Sequence, residues 1–415
     1  MPRYLPRIAD SELARRLATA GAVLIEGPKA CGKTATATCA ANTIFRIDSD
    51  PAARAAVSLA PQRLFDNPTP ILFDEWQVEP ALWNRVRRHV DDLQERGLCI
   101  LTGSATPADD ATRHSGAGRF AVIRMRPMSL FESGHASGAV SLSALFDGDA
   151  PTAAEDQLGF EGLVERIVVG GWPELVDAAE DDARDWLDDY LTQIAEVDVP
   201  ALGSRRNPRN IRRLFAALAR SVGQPAKASE IATDVGGADG PIAKETLTAY
   251  LEALERLHLI EDAQAWRPHM RSRTRLRTAA VRYFVDPSLG PAALNIGSTE
   301  LMADPNALGF HFEALAMRDL RIYAQPLRGV VDSWRDANGN EVDAVLSVRN
   351  GWGAFEIKLN PRDVDAAAAS LLRFAAGVDH NRHGAPAVLA VITSTGYGGR
   401  RADGIHVIPI ATFGP

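Results

Sequence analysis

Ala22-Val23-Leu24-Ile25 is followed, one residue later, by Gly27-Pro28-Lys29-Ala30-Cys31-Gly32-Lys33-Thr34. An apolar run that reads as a strand leads into Gly-x-x-x-x-Gly-Lys-[Ser/Thr], and Thr34 to Ala41 is compatible with a helix. Strand, glycine-bearing loop and helix in that order are the context a phosphate-binding loop requires. The glycines let backbone N–H groups close around phosphate oxygens at the positive end of the helix. Lys33 would reach the β- and γ-phosphates, and Thr34 would place its hydroxyl on Mg²⁺. The expected nucleotide-binding residues are Gly27, Pro28, Lys29, Ala30, Cys31, Gly32, Lys33, Thr34 and Ala35, with ATP as ligand and Mg²⁺ as its ion.

Further apolar runs continue the pattern downstream. Thr43 to Ile47, Pro70 to Phe73, Leu98 to Thr102 and Phe120 to Ile123 read as strands, with helical stretches such as Leu82 to Glu95 between them. Alternation of this kind predicts a parallel α/β sheet whose ligands sit at the carboxyl ends of the strands. Asp74-Glu75 closes the third run: Asp74 is the expected Mg²⁺ ligand, and Glu75 is the group expected to orient or deprotonate the attacking water. Thr102-Gly103-Ser104 ends the fourth, where the polar side chain of Ser104 could sense the γ-phosphate. Arg119, Arg124 and Arg126 are candidates for stabilising transition-state charge, Arg119 first. A finger given by a neighbouring copy would need a homo-oligomer.

A chain of 415 residues is too long for one core. The expected domains are 1–150, an ATPase domain; 151–300, a helical and winged-helix segment; and 301–415, a C-terminal domain. Hydrophobic content of 46%, charged content of 24% and the lack of an eighteen-residue apolar run predict a globular protein without a membrane span. Three cysteines make no disulfide framework, and the N-terminus lacks an apolar signal core, so the expected compartment is the cytoplasm. A net charge of −8 argues against a surface generally coated with nucleic acid, while leaving room for a local basic patch.

In the middle, residues 138–158 read as a linker or loose helix. Gly170-Gly171-Trp172-Pro173 reads as a tight turn, which would leave an aromatic able to approach an adenine ring; an ordinary turn is an equal reading. Asp182 to Val197 is an acidic amphipathic helix. A basic cluster runs from Ser204 to Arg213, with Asn210 as the cap of the next helix. Ala228 to Ala232, a turn at Gly236-Gly237, and Ala243 to Leu257 fit a helix-turn-helix. A basic wing containing Arg267, Arg271, Arg273, Arg275 and Arg277 would follow. DNA is the candidate partner of this segment, although the second helix is weakly charged and such folds also serve as spacers.

The C-terminal order reads helix, three-strand meander, helix, strand. Glu313 lies on the apolar stripe of the first helix, where a carboxylate is costly unless paired. Glu341 to Leu346 and Gly353 to Leu359 are adjacent strands, and Glu356 and Lys358, two apart, share a face. Asp343 and Glu356 could therefore converge on one Mg²⁺ beside Lys358, an arrangement suited to phosphodiester hydrolysis. Phe355, Ile357 and Leu359 would face the core. A Glu-x-Lys pair is also frequent on solvated sheet faces, so the constellation Glu313, Asp343, Glu356 and Lys358 is a candidate nuclease site.

Gly27 to Thr34, Asp74 to Gln77, Leu101 to Ser104, Arg126 to Leu130, Gly170 to Pro173, Phe284 to Pro287, Glu341 to Asp343 and Glu356 to Lys358 form an ordered string. With it the chain resembles the AAA-type ATPases paired with a DUF4143 domain. That resemblance implies a P-loop domain, a winged-helix segment, and a C-terminal fold similar to restriction endonucleases and junction resolvases. It also likens Gly171-Trp172-Pro173 to the Gly-x-Pro motif of signalling ATPases, near the nucleotide. Trp76 and Cys31 depart from the residues usual at their positions. Two readings follow. In the first, a Mg²⁺-dependent ATPase controls, through its nucleotide state, a nuclease-like or DNA-binding domain. In the second, a regulatory switch of toxin–antitoxin or defence type carries a catalytically inactive interaction module.

Overall fold

The computed structural model describes residues 4–103, 115–149, 154–203, 207–266, 281–336 and 339–415. Ser104, Arg205, Arg206, Arg267, Arg271, Arg273, Arg275, Arg277 and Asn338 lie outside them. Two compact units result: Met1–Pro127 with Glu255–Leu259, and Met128–Leu254 with Ile260–Pro415.

The first unit runs α1 (Ile8–Leu17), β1 (Ala22–Glu26), α2 (Lys33–Ala40), β2 (Thr43–Arg46), α3 (Pro51–Leu59), β3 (Ile71–Asp74), α4 (Ala81–Leu93), β4 (Cys99–Gly103) and β5 (Phe120–Arg124). The strands form one sheet in the order β2-β3-β4-β1-β5, and every pairing is parallel. A parallel sheet is covered on both faces, so its central strands read as unbroken apolar runs. The alternation shows where each residue goes. Ala22, Leu24, Ile71, Phe73, Cys99 and Leu101 join one core, with Val57, Leu82 and Val86 of the covering helices. Val23, Ile25, Leu72 and Ile100 join the other, under Ala9, Leu13 and Ala37.

In the second unit, residues 138–158, expected as a linker or loose helix, carry a short helix at Leu142–Phe146 between two short strands, β6 (Val140–Ser141) and β7 (Ala154–Glu155). β6 pairs with the distant β16 (Phe413–Gly414) and β7 with β14 (Tyr397–Arg400). Helices α5 (Gly159–Val169), α6 (Glu180–Gln193), α7 (Pro208–Arg220), α8 (Ala228–Gly236) and α9 (Lys244–Arg256) follow. The cap of α7 is Asn207, which accepts from Arg209 N–H, rather than Asn210: Pro208 fits the first helical position and moves the start upstream. β8 (Ile260–Ala263) and β9 (Val281–Phe284) form an antiparallel pair.

After α10 (Leu289–Leu294), the long α11 (Pro305–Tyr323) is buried along most of its length. It leads into the expected meander of β10 (Val330–Arg335), β11 (Glu341–Val348) and β12 (Gly351–Lys358). α12 (Val364–Gly377) then crosses to β13 (Val388–Thr393), parallel to β12. β14 and β15 (His406–Pro409) extend the sheet beyond the single strand expected, giving the order β10-β11-β12-β13-β15-β14-β7. Both faces of β12 are covered: Phe355 and Ile357 are buried as expected, and Trp352, Ala354 and Glu356 are buried too. Among the described residues no helix is long and apolar enough to cross a membrane.

Candidate functional site

β1 ends at Glu26 and the chain turns at once into the loop. Gly27 lies so close to β5's continuation that a Cβ there would come within 2.4 Å of the Met125 carbonyl. Gly32 caps α2 with φ of 101°, a conformation in which other residues are strained. Lys33 is buried, and its Nζ donates to the carbonyls of Gly27 (2.9 Å) and Pro28 (2.6 Å). Thr34 Oγ1 donates to Asp74 Oδ1 at 2.8 Å, and Thr102 Oγ1 donates to the same oxygen at 2.5 Å. One carboxylate oxygen thus joins the loop, the end of β3 and the end of β4. A hydroxyl and a carboxylate oxygen at this spacing suit Mg²⁺, which takes few protein oxygens and keeps its waters. Glu75 follows with φ of 54°, outside the strand, and its carboxylate accepts a hydrogen bond from Gln77. The end of β4 packs on that turn, because a Cβ on Gly103 would meet Gln77 Oε1 at 2.6 Å.

Arg119, the first candidate for stabilising transition-state charge, lies away from its own phosphate loop. It precedes β5, at the end of the sheet where Phe120 pairs with Ala22, while the loop follows the opposite end. Its Nε donates to Asp91 at 2.7 Å, and this bond holds the half-buried Asp91 carboxyl below its usual range. Within this unit Arg119 does not reach the phosphate loop. Arg124, by contrast, pairs with Glu26 at the loop end.

Two residues near the N-terminus were not expected. Arg7 is buried and donates to the carbonyl of Cys31 (2.7 Å) and to that of Arg126 (2.8 Å), bracing the loop against the end of β5. Tyr4 Oη donates to Asp10 (2.5 Å) and lies 2.9 Å from Thr36 Oγ1 on α2. Burial, then Asp10, push the Tyr4 phenol well above its ordinary value.

In the second unit Glu313, Asp343, Glu356 and Lys358 do come together. Lys358 Nζ lies 2.6 Å from Glu356 Oε2 and 3.1 Å from Asp343 Oδ2, which also accepts the Ile357 N–H at 2.7 Å. Tyr283 of β9, unseen in the sequence reading, donates to Glu313 Oε1 at 2.5 Å. Burial, then the Asp343 charge, push the carboxyls of Glu313 and Glu356 up, Glu356 to about 8. Burial works against the Lys358 ammonium, but Asp343 and Glu356 outweigh it and keep its pKa above the ordinary lysine value. Asp343 and Glu356 converge as expected, and the Lys358 ammonium lies between them. Among the described residues no three carboxylate, imidazole or thiol groups are spaced for a metal ion.

Of its two readings, Trp172 takes the ordinary turn rather than the adenine contact. It is fully buried inside the second unit, against Trp186 and Tyr190, with Nε1 donating to Ser288 Oγ at 3.1 Å. A ring with no exposed face has nothing to offer an adenine. Around it lies a buried network. Arg318 bonds Asp286 and Asp319, each at 2.8 Å; Asp286 accepts from Gly171 N–H at 3.1 Å; and Asp319 accepts from Leu130 N–H at 3.0 Å.

Residues 19–133 match the AAA domain family, 160–300 a domain of unknown function (DUF8612), and 308–413 another (DUF4143). The chain carries an AAA domain and a DUF4143 domain. Uncharacterized proteins of Mycobacterium tuberculosis and Mycobacterium bovis are each 25% identical over 372 residues, which cover 85% of this chain and 73% of theirs. Among solved structures, a Walker-type ATPase of Pyrococcus abyssi gives a TM-score of 0.42 at 14% identity, over 70% of this chain and 96% of that one. The AAA domain contains the loop, Asp74, Glu75 and Thr102; Tyr4 and Arg7 precede its match. Tyr283 likewise precedes the DUF4143 match while touching Glu313 inside it. Arginine ahead of a helix, or tyrosine within a short strand, carries no local signal of such a role.

Proposed function

We propose that this chain binds ATP at Gly27–Thr34 and hydrolyses it with Mg²⁺, and that its nucleotide state controls the C-terminal domain. The observation that carries the reading is Asp74 Oδ1, which takes hydroxyl donors from Thr34 and Thr102 together. Mg²⁺, when bound, neutralises charge building on the transferred phosphate. Thr34 and Asp74 would hold it, and Thr102 would fix the carboxylate. Lys33 would exchange its loop carbonyls for phosphate oxygens. Glu75, held by Gln77, would orient or deprotonate the water. Ser104 remains the proposed γ-phosphate sensor, and a finger from Arg119, Arg124 or Arg126 of a second copy would make the active form a homo-oligomer. Three cysteines outside any disulfide support a cytoplasmic setting. ATP turnover tests the core of this reading: Lys33→Ala should abolish binding, and unchanged turnover in Glu75→Gln would remove Glu75 from the mechanism.

For the responding half, α8, α9 and the β8–β9 pair have the element order of a winged helix, which makes DNA the proposed partner. The second reading, a switch whose C-terminal module binds without cutting, is favoured by Lys358 standing between Asp343 and Glu356. Cleavage of labelled single-stranded, duplex and branched DNA with Mg²⁺ or Mn²⁺, with and without ATP, separates the two. Cutting that Asp343→Ala abolishes would establish a nuclease; intact DNA alongside ATP turnover would establish the switch.

A further inference from the structure

Every carboxylate of the C-terminal cluster already has a donor from the chain itself. Glu356 Oε2 faces the Lys358 ammonium at 2.6 Å. Asp343 Oδ2 takes both that ammonium, at 3.1 Å, and the Ile357 N–H, at 2.7 Å. Glu313 Oε1 takes the hydroxyl of Tyr283, a residue whose ring is itself buried. We propose that Lys358 is the resident cation of this cluster and that no divalent metal belongs to its resting form.

The inference is independent of ATP turnover. An ammonium carries three donors and one charge, so a single lysine can satisfy two carboxylates at once. Mg²⁺ needs oxygens at roughly 2.1 Å in a nearly octahedral shell. An ion entering between Asp343 and Glu356 would meet the ammonium at contact distance and would have to displace it. Strand geometry resists that displacement. Glu356 and Lys358 are two apart on β12 and so share a face, and Asp343 lies beside them on the neighbouring strand.

The test uses the full chain carrying Asp74→Asn, which removes the nucleotide-site cation ligand, and Mn²⁺ alone as probe. Electron paramagnetic resonance reports unbound Mn²⁺ directly. We expect this chain to leave added Mn²⁺ unbound. Adding Lys358→Met should create a site for one Mn²⁺ per chain, at least tenfold tighter, which Asp343→Asn then destroys. Binding of Mn²⁺ by the chain with Lys358 intact, abolished by Asp343→Asn, would overturn the proposal. So would a Lys358→Met chain that melts cooperatively yet gains no site. Should Lys358→Met fail to fold, Lys358→Gln takes its place, and the measurement with Lys358 intact still decides.

Discussion

Asp74 is the residue on which the nucleotide site turns, since one of its oxygens holds both Thr34 and Thr102. Glu75 beside it is held by Gln77 alone among the bonds described for its side chain. Replacing Glu75 by Gln should therefore leave ATP binding intact and lower turnover by about 10²–10⁴-fold, the usual worth of a positioned base; rapid-quench single-turnover assays beside a filter-binding isotherm check both halves. Arg7→Ala should leave two carbonyls without their charged donor and cost about 3 kcal/mol, read from denaturant unfolding of the full chain. These residues were not equally legible. Lys33 and Thr34 belong to one contiguous string, and Asp74 ends an apolar run, so the sequence displays them. Arg7 acts on a carbonyl 24 residues away, and Tyr283 on a carboxylate 30 away. Neither is marked by its neighbours.

At the scale of elements, the strands of the AAA domain were readable because a doubly covered parallel strand must be apolar on both sides. β6, β7, β14 and β16 were not. They are two to four residues long and owe their existence to partners far along the chain. The junction after α5 depends on contact even more. A Cβ on Gly171 would sit 1.9 Å from the Met128 carbonyl, so Gly171→Ala should lower stability by about 3 kcal/mol or prevent folding, as a chemical melt would show. Arg318→Met leaves Asp286 and Asp319 buried without their cation, and a loss of roughly 3–5 kcal/mol is expected in the same assay. Trp172 was left between two readings for a related reason: a turn written Gly-Gly-Trp-Pro does not show whether its ring is exposed until its walls, Trp186, Tyr190 and Ser288, are in place.

For the molecule as a whole, acid should act through His311, which is buried in α11 and whose pKa is pushed down by that burial to about 4. It is neutral in the fold, whereas an unfolded histidine protonates near pH 6.5. Its contribution is complete above pH 6.5 and disappears as pH falls toward 4, an effect on the order of 3 kcal/mol. Across those limits the natural chain should lose stability relative to His311→Met, a difference between paired melting curves that adds to the opposing slope from the raised Glu313 and Glu356 carboxyls. The limits of the family matches also have a practical side for anyone dissecting the protein. A fragment cut at residue 19 discards α1 and Arg7, uncovering the face of Val23, Ile25 and Ile100 and unbracing the loop. One cut at residue 308 severs α11 in its first turn and leaves behind Tyr283 and β7. Inactivity of either piece would report the position of the cut rather than the chemistry of the domain.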